Sequence, residues 1–132
     1  MTGICPCGSL ELVPVLVQIG NVCSERGEFP RALKVFQEAL EMRRKGQAGN
    51  QAGMAHLLAS VGFVCLRLGD LDGAIRMHEE ELSIQRDLLP RGSPRLASLL
   101  GSVALVYRER GDLERAKQLE DEAYGTVKKL DV

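Results

Sequence analysis

The feature that most constrains this chain is a register of identical or similar residues repeated every 42 positions. The recurring positions hold a glycine, an alanine and a large apolar residue: Gly27, Gly69 and Gly111; Ala32, Ala74 and Ala116; Phe29, Leu71 and Leu113. A fixed period of this length is typical of stacked copies of one supersecondary unit. Because such arrays usually present an extended surface to a partner, the register directs the search for function toward binding.

Each copy reads as two helices joined by a short turn. In the second copy Leu58, Val61 and Cys65 follow the i, i+3, i+7 spacing of one helix face. A glycine then ends the apolar run, as is common after a helix, and so short a connection makes the two helices antiparallel. We therefore predict helices at about 13–26, 29–45, 52–68, 71–88, 95–110 and 113–130.

The predicted fold class is all-α, an alpha-solenoid of three stacked antiparallel helix hairpins. Small residues stand where the paired helices must approach closely: Gly20, Gly62 and Ala104 on the first helices and the recurring alanines on the second. The predicted organisation is a disordered tail followed by three repeats: 1–12, then about 13–46, 55–88 and 97–130.

At this point the chain resembles the tetratricopeptide repeat (TPR) family. The resemblance rests on one pattern present in each copy: Leu16-x-x-Ile19-Gly20-x-x-Cys23, Leu58-x-x-Val61-Gly62-x-x-Cys65 and Leu100-x-x-Val103-Ala104-x-x-Tyr107. The 42-residue period and the linker Pro90-Arg91-Gly92-Ser93-Pro94 are similar to kinesin-light-chain repeats. The large residue expected in the middle of each second helix is Phe36, then His78, then Glu120, and we interpret Glu120 as lying on a face that no further helix covers.

Composition excludes several functional classes. The formal net charge is −1, which gives no overall attraction to nucleic acid or to an anionic membrane. No apolar run is long enough for a membrane-spanning helix. The first residues lack the basic and apolar regions of a signal peptide, so we expect a cytoplasmic protein.

No arrangement of residues predicts an enzyme, a metal site or a cofactor. Cys23 and Cys65 are expected to be buried core residues, whereas Cys5 and Cys7 stand in the tail. His56 and His78 lack a neighbouring nucleophile or further ligands, and His78 is expected to pack between helices. The acidic runs 79–81 and 120–122 are interpreted as solvated faces, and the basic run 43–45 as a helix-end effect.

The TPR resemblance implies that the first helices line a concave groove that binds a partner. The candidate partner-binding residues there are Asn21, His56, Phe63, Leu66, Arg67, Leu105 and Arg108. An apolar strip beside two arginines would suit a protein or peptide with hydrophobic anchors and acidic neighbours. An alternative is that Phe63 and Leu105 pack between neighbouring first helices.

The function expected from this sequence is a non-enzymatic adaptor or scaffold that binds a peptide or helix on the concave face. Two alternatives stay open: a structural module that associates with itself through uncapped ends, or a fragment of a longer TPR array. The TPR proteins that bind a chaperone tail use a clamp of Lys, Arg and Asn, and only Asn21 matches it, so that function is not expected.

Overall fold

The structure is a computed structural model that describes residues 6–46 and 51–128, with side chains described from residue 12 to 126 within those ranges. These residues form six α-helices: α1 (Pro6–Glu25), α2 (Phe29–Gly46), α3 (Gln51–Arg67), α4 (Leu71–Leu88), α5 (Pro94–Arg110) and α6 (Leu113–Lys128). Extensive contacts within the described residues join helices that follow one another in the chain. The predicted stack of three helix hairpins is therefore confirmed.

The first helix starts earlier than expected. α1 begins at Pro6, so residues 6–12 are helical where we expected a disordered tail, and residues 1–5 lie outside the described residues. Pro14 consequently lies inside α1 and not near its start.

The three hairpin turns use one hydrogen-bonding arrangement. Gly27, Gly69 and Gly111 have φ values of 80°, 84° and 99°, which a residue without Cβ adopts without strain. The amide after each glycine donates to a carbonyl five residues back, as when Asp70 N donates to Cys65 O over 2.8 Å. This arrangement satisfies the last carbonyls of the first helix, and it reverses the chain within a few residues.

In the second hairpin the same turn also begins the next helix. The side chain of Asp70 is the N-cap of α4 and accepts a hydrogen bond from Gly73 N over 2.9 Å. An aspartate at this position satisfies one of the free amides of the first helical turn. A Gly-Asp pair therefore ends one helix and starts its partner.

Small residues set the distance between paired helices. A Cβ added to Gly20 would come within 2.5 Å of the Phe36 ring, and one added to Gly62 within 2.7 Å of the His78 ring. The recurring alanines of the second helices are fully buried. The close approach inferred from the sequence is thus present in the first two hairpins.

Candidate partner-binding surface

One position of the first helices forms a row that crosses the stack. Asn21, Phe63 and Leu105 stand 42 residues apart on α1, α3 and α5, and we call them the groove row. All three are exposed, and the exposed fractions of Phe63 and Leu105 are 49% and 60%. The structure therefore does not bury Phe63 and Leu105 between neighbouring first helices.

In the second and third repeats, the position one turn before the groove row carries a small residue. Ala59 precedes Phe63, and Gly101 precedes Leu105. A Cβ added to Gly101 would meet no atom within 4 Å, so the space beside it is open. An apolar group of a partner can approach the backbone of α5 at this point.

Phe63 is held in place by aromatic contacts with the preceding repeat. Its ring lies 6.5 Å from that of Phe29, at an interplanar angle of 70°. The guanidinium carbon of Arg67 lies 5.4 Å from the centre of the Phe29 ring. Edge-to-face pairing and a cation over a ring are both favourable. Phe63 and Arg67 therefore form one cluster with the start of α2.

The other predicted arginine is bound within its own hairpin. Arg108 Nη2 donates to Glu120 Oε2 over 2.6 Å, which joins α5 to α6. Glu120 therefore faces the first helix of its hairpin, and the interpretation of an uncovered outer face is wrong. Leu66, at the equivalent position of α3, is partly buried and packs against the core.

His56 lies apart from the groove row, near the start of α3. It is exposed and lines a cavity of about 420 Å³ together with Glu81 and Arg95. The seven candidates are thus distributed over several environments: the exposed groove row, the aromatic cluster, the edge of the core at Leu66, an exposed ion pair between α5 and α6, and this cavity.

Ion pairs join the second helices of neighbouring repeats, and we did not predict them from the sequence. Arg44 donates to Glu80 through both terminal nitrogens, over 2.9 and 3.0 Å. Arg86 donates to Glu122 of the next repeat through Nε and Nη2, over 3.1 and 2.7 Å. Hydrogen bonding to Glu80 raises the pKa of the Arg44 guanidinium. Arg44 lies in the last turn of α2, as the helix-end interpretation implies, and the side chains of both pairs stay between 37% and 45% exposed. We did not predict that these exposed charges also join neighbouring repeats. The signal was available, because both members of the pair recur at the 42-residue period.

The other two glutamates of the acidic run 79–81 also bind other side chains of the fold. Glu79 accepts a hydrogen bond from the Tyr107 hydroxyl, and it binds Arg115 over 3.2 Å. Burial, followed by the hydrogen bond to Glu79, raises the pKa of the Tyr107 phenol. Glu81 is buried and lies 3.0 Å from Nδ1 of His78. His78 packs between the helices of its hairpin, as expected.

The remaining groups that carry chemistry are buried or dispersed. The thiols of Cys23 and Cys65 are free and buried, and burial raises the pKa of Cys65. Cys5 lies outside the described residues, as does the side chain of Cys7. In the part of the chain that the structure describes, no three His, Cys, Asp or Glu side chains are grouped to hold a metal ion. None of the described helices combines the length and apolar character that crossing a membrane requires.

Comparison with known protein families identifies this architecture. The tetratricopeptide repeat matches residues 53–129, more than half of the chain, and matches residues 15–48 a second time. The chain belongs to the tetratricopeptide-repeat family. No curated protein matches this TPR chain.

Solved structures share the TPR fold at low sequence identity. The TPR domain of Arabidopsis FLU superposes with a TM-score of 0.75 at 22% identity, covering 92% of this chain and 98% of that domain. A kinesin light chain with nearly identical TPR-like repeats from Podosopora anserina superposes with a TM-score of 0.72 at 14% identity, covering 89% of this chain and 56% of that one. The resemblance to kinesin-light-chain repeats is therefore confirmed.

A third solved structure contains a bound segment of another protein. PcrH, in complex with the chaperone binding region of PopB, superposes with a TM-score of 0.66 at 17% identity, covering 88% of this chain and 81% of PcrH. This TPR chain spans about half the length of two solved chains that it matches, 50% and 56%.

Proposed function

We propose that the chain is a non-enzymatic adaptor that binds a protein or peptide segment across its first helices. The observation that carries this proposal is the groove row, in which Phe63 and Leu105 are half exposed at equivalent positions of adjacent repeats. Large apolar groups in register are suitable anchors for a helix or an extended peptide. The family assignment and the bound segment in PcrH support the same class of function.

Apolar contact contributes more to this proposed recognition than charge does. Arg67 already lies over Phe29, and Arg108 already binds Glu120, so neither guanidinium is held ready for an acidic partner. Phe63, by contrast, is positioned by Phe29 while half of its surface is exposed. An aromatic side chain that is already held in one orientation loses little conformational entropy on binding. We expect the preferred partner to present one apolar side chain to Phe63 and another to Leu105.

Selection of peptides on the immobilised chain tests this function. Peptides selected from a random library should bind through Phe63, and Phe63→Ala should weaken their binding by about thirtyfold, the effect of losing a hot spot of about 2 kcal/mol. Leu68→Ala is the matched control, because Leu68 is also a large exposed apolar residue but follows α3 near the hairpin turn. Fluorescence anisotropy of labelled peptides measures both variants.

Two results would contradict the adaptor proposal. One is equal weakening by Phe63→Ala and Leu68→Ala; the other is unchanged binding by a correctly folded Phe63→Ala variant.

We also propose a cytoplasmic location, and the reduced thiols of Cys23 and Cys65 are compatible with it. Imaging of the tagged chain in cells tests that location.

A further inference from the structure

An exposed apolar stripe follows one side of α1. Leu12, Val15, Ile19 and Val22 have exposed fractions between 42% and 51%, and we call them the N-terminal face. The spacing of these residues is that of a single helix side. The last three line a shallow cavity of about 420 Å³ that also reaches Arg26. Such a continuous apolar stripe on a helix marks a candidate interface.

The 42-residue register shows what covers this side of a first helix inside the stack. Leu57, Val61 and Val64 are equivalent to Val15, Ile19 and Val22, and their exposed fractions are 1%, 2% and 0%. α3 makes extensive contacts with α2 and α4. The side of α3 at Gly62 faces α4. Since α2 is the other helix in extensive contact with α3, we assign the burial of these three side chains to α2. A surface equivalent to the N-terminal face is therefore covered, inside the stack, by the second helix of the preceding repeat. The second helix of another TPR would fit the N-terminal face in the same way.

The other end of the stack presents such a helix. Leu113 and Tyr124 on α6 have exposed fractions of 58% and 68%, and we call them the C-terminal face. Tyr124 stands at the position of Leu40 and Leu82, which are buried. Leu113 stands at the position of Phe29 and Leu71, which are partly buried. The C-terminal face thus carries apolar groups at positions that are buried or partly buried in the other repeats.

The charges at the two ends are complementary as well. Between the second and third repeats Asp72 binds Arg110 over 2.6 Å. In the same register Glu114 stands 42 residues after Asp72, and Arg26 stands two periods before Arg110. Arg26 makes a long contact of 3.8 Å with Glu28 in this structure. A third repeat placed before a first repeat would therefore bring Glu114 to Arg26.

A second pair of positions repeats this complementarity in the sequence. Glu80 and Glu122 bind the arginines of the preceding second helix, and the equivalent residue of the first repeat is Glu38. At the other end, Lys128 stands one period after Arg86 in the sequence. The two ends thus carry opposite charges at this register position too.

We infer that a second copy of this chain docks head to tail, its C-terminal face covering the N-terminal face of the first. The junction continues the repeat register, with Val15, Ile19 and Val22 against α6 of the neighbour and Arg26 against its Glu114. Because the contact joins two different surfaces, each added copy exposes a new end, and assembly is open-ended.

One residue limits the strength of this contact. Lys117 stands where Leu33 and Ile75 stand in the other repeats, and it places an ammonium group on the outer side of α6. Exposed ion pairs contribute little energy, so most of the association must come from apolar area. We therefore expect assembly that increases with protein concentration and is incomplete in dilute solution.

Sedimentation equilibrium of the 132-residue chain over a wide concentration range tests the inference. The weight-average mass should rise continuously past that of a dimer. A chain that is monomeric at all concentrations would overturn the proposal, and so would a dimer that accumulates without larger species, because a closed dimer requires a symmetric contact.

Single-end variants provide the sharper experiment. Ile19→Lys blocks the N-terminal face and Tyr124→Lys blocks the C-terminal face, so each variant alone should be monomeric. Mixed together, the two should form dimers through their remaining intact ends, and nothing larger. Leu68→Lys is the matched control, since Leu68 is also a large exposed apolar residue but lies outside both faces and outside the groove row. Circular dichroism confirms that each variant is folded.

A charge exchange tests the register of the junction. Arg26→Glu should weaken self-association severalfold, and adding Glu114→Arg should restore it. Failure of the mixed single-end variants to dimerise, or loss of association in Leu68→Lys, would overturn the head-to-tail arrangement. Peptide binding through Phe63 would be unaffected by either result, so this inference and the adaptor function fail independently.

Discussion

The first and second hairpins both pack a ring of the second helix against a glycine of the first helix, but the ring is apolar in one and polar in the other. In the first, the buried ring of Phe36 lies against Gly20, with Ala39 one turn further along α2. In the second, the register-equivalent residues are His78 and Glu81, whose side chains lie 3.0 Å apart, and the imidazole lies against Gly62. The comparison shows that either an apolar or a polar ring can pack against the glycine of the facing helix, the polar ring being accompanied by a neighbouring residue that pairs with it.

The third hairpin extends the comparison. Its equivalent residue, Glu120, is followed one turn later by Ala123, which cannot pair with it. The partner comes instead from α5, where Arg108 binds the carboxylate over 2.6 Å. The polar residue in this position therefore has a charged partner in both hairpins. In the second hairpin the pair is largely buried, where a polar group without a partner would be costly. In the third hairpin the pair is partly exposed to solvent.

Phe36→Ala should give the largest loss of stability. The ring fills the space beside Gly20, and removing it leaves a cavity that should lower the free energy of unfolding by about 3–5 kcal/mol. Urea denaturation followed by circular dichroism measures the loss. Phe63→Ala is the internal control, since Phe63 is half exposed and should lose clearly less. Similar losses would contradict the assignment of Phe36 to the core and Phe63 to the surface.

Converting the second hairpin to the chemistry of the first tests the pairing rule. His78→Phe alone leaves Glu81 buried without its partner and should cost about 1–3 kcal/mol. Adding Glu81→Ala restores the combination of Phe36 and Ala39, so the double variant should regain most of that loss. A double-mutant cycle by urea denaturation measures the coupling. Additive losses would show that His78 and Glu81 do not act as a pair.

Glycine substitutions compare a crowded position with an open one. Gly62→Ala places a Cβ 2.7 Å from the His78 ring and should cost about 1–3 kcal/mol by overpacking. Gly101→Ala meets no atom within 4 Å and should instead stabilise α5 by up to about 1 kcal/mol, through its higher helix propensity. Thermal unfolding of the two variants should therefore shift in opposite directions.

The smallest expected effect concerns Tyr107. Its environment in the folded chain raises the pKa of the Tyr107 phenol, chiefly through burial. The stability that this phenol contributes is therefore fully present below the unfolded pKa of about 10, and it is lost as the pH rises through the higher folded pKa. Tyr107→Phe removes the hydrogen bond to Glu79 and should cost about 1 kcal/mol at neutral pH. Stability measured from neutral to alkaline pH should decline less in the variant; parallel declines would exclude Tyr107 as a cause.

The sequence predicted the positions of the helices well, because glycine turns and apolar spacing depend on local chemistry. It also located the small residues that bring the helices together. It did not predict that α1 begins at Pro6, since no capping residue marks that start. The contacts of individual charged residues were beyond local reasoning: Glu80 and Glu120 were both interpreted as solvated, but their partners lie on other helices.

The candidate surface was predictable only in part. The exposure of Phe63 and Leu105 agrees with the groove expectation, and it follows from their position on the first helices. That Arg67 lies over Phe29 and that Arg108 binds Glu120 depends on the spacing between helices, which the sequence does not specify. Whether the groove row binds a partner stays a prediction.

The ion pairs between second helices have a consequence for how such a chain can grow. The pairs Arg44–Glu80 and Arg86–Glu122 are one junction used twice, so the second repeat carries both the acceptor for its predecessor and the donor for its successor. A chain lengthened by duplicating residues 47–88 would create a new boundary at which Arg86 meets the copied Glu80. The new boundary would contain the same Arg–Glu pair as the two existing ones, so lengthening by duplication needs no new residue at this contact.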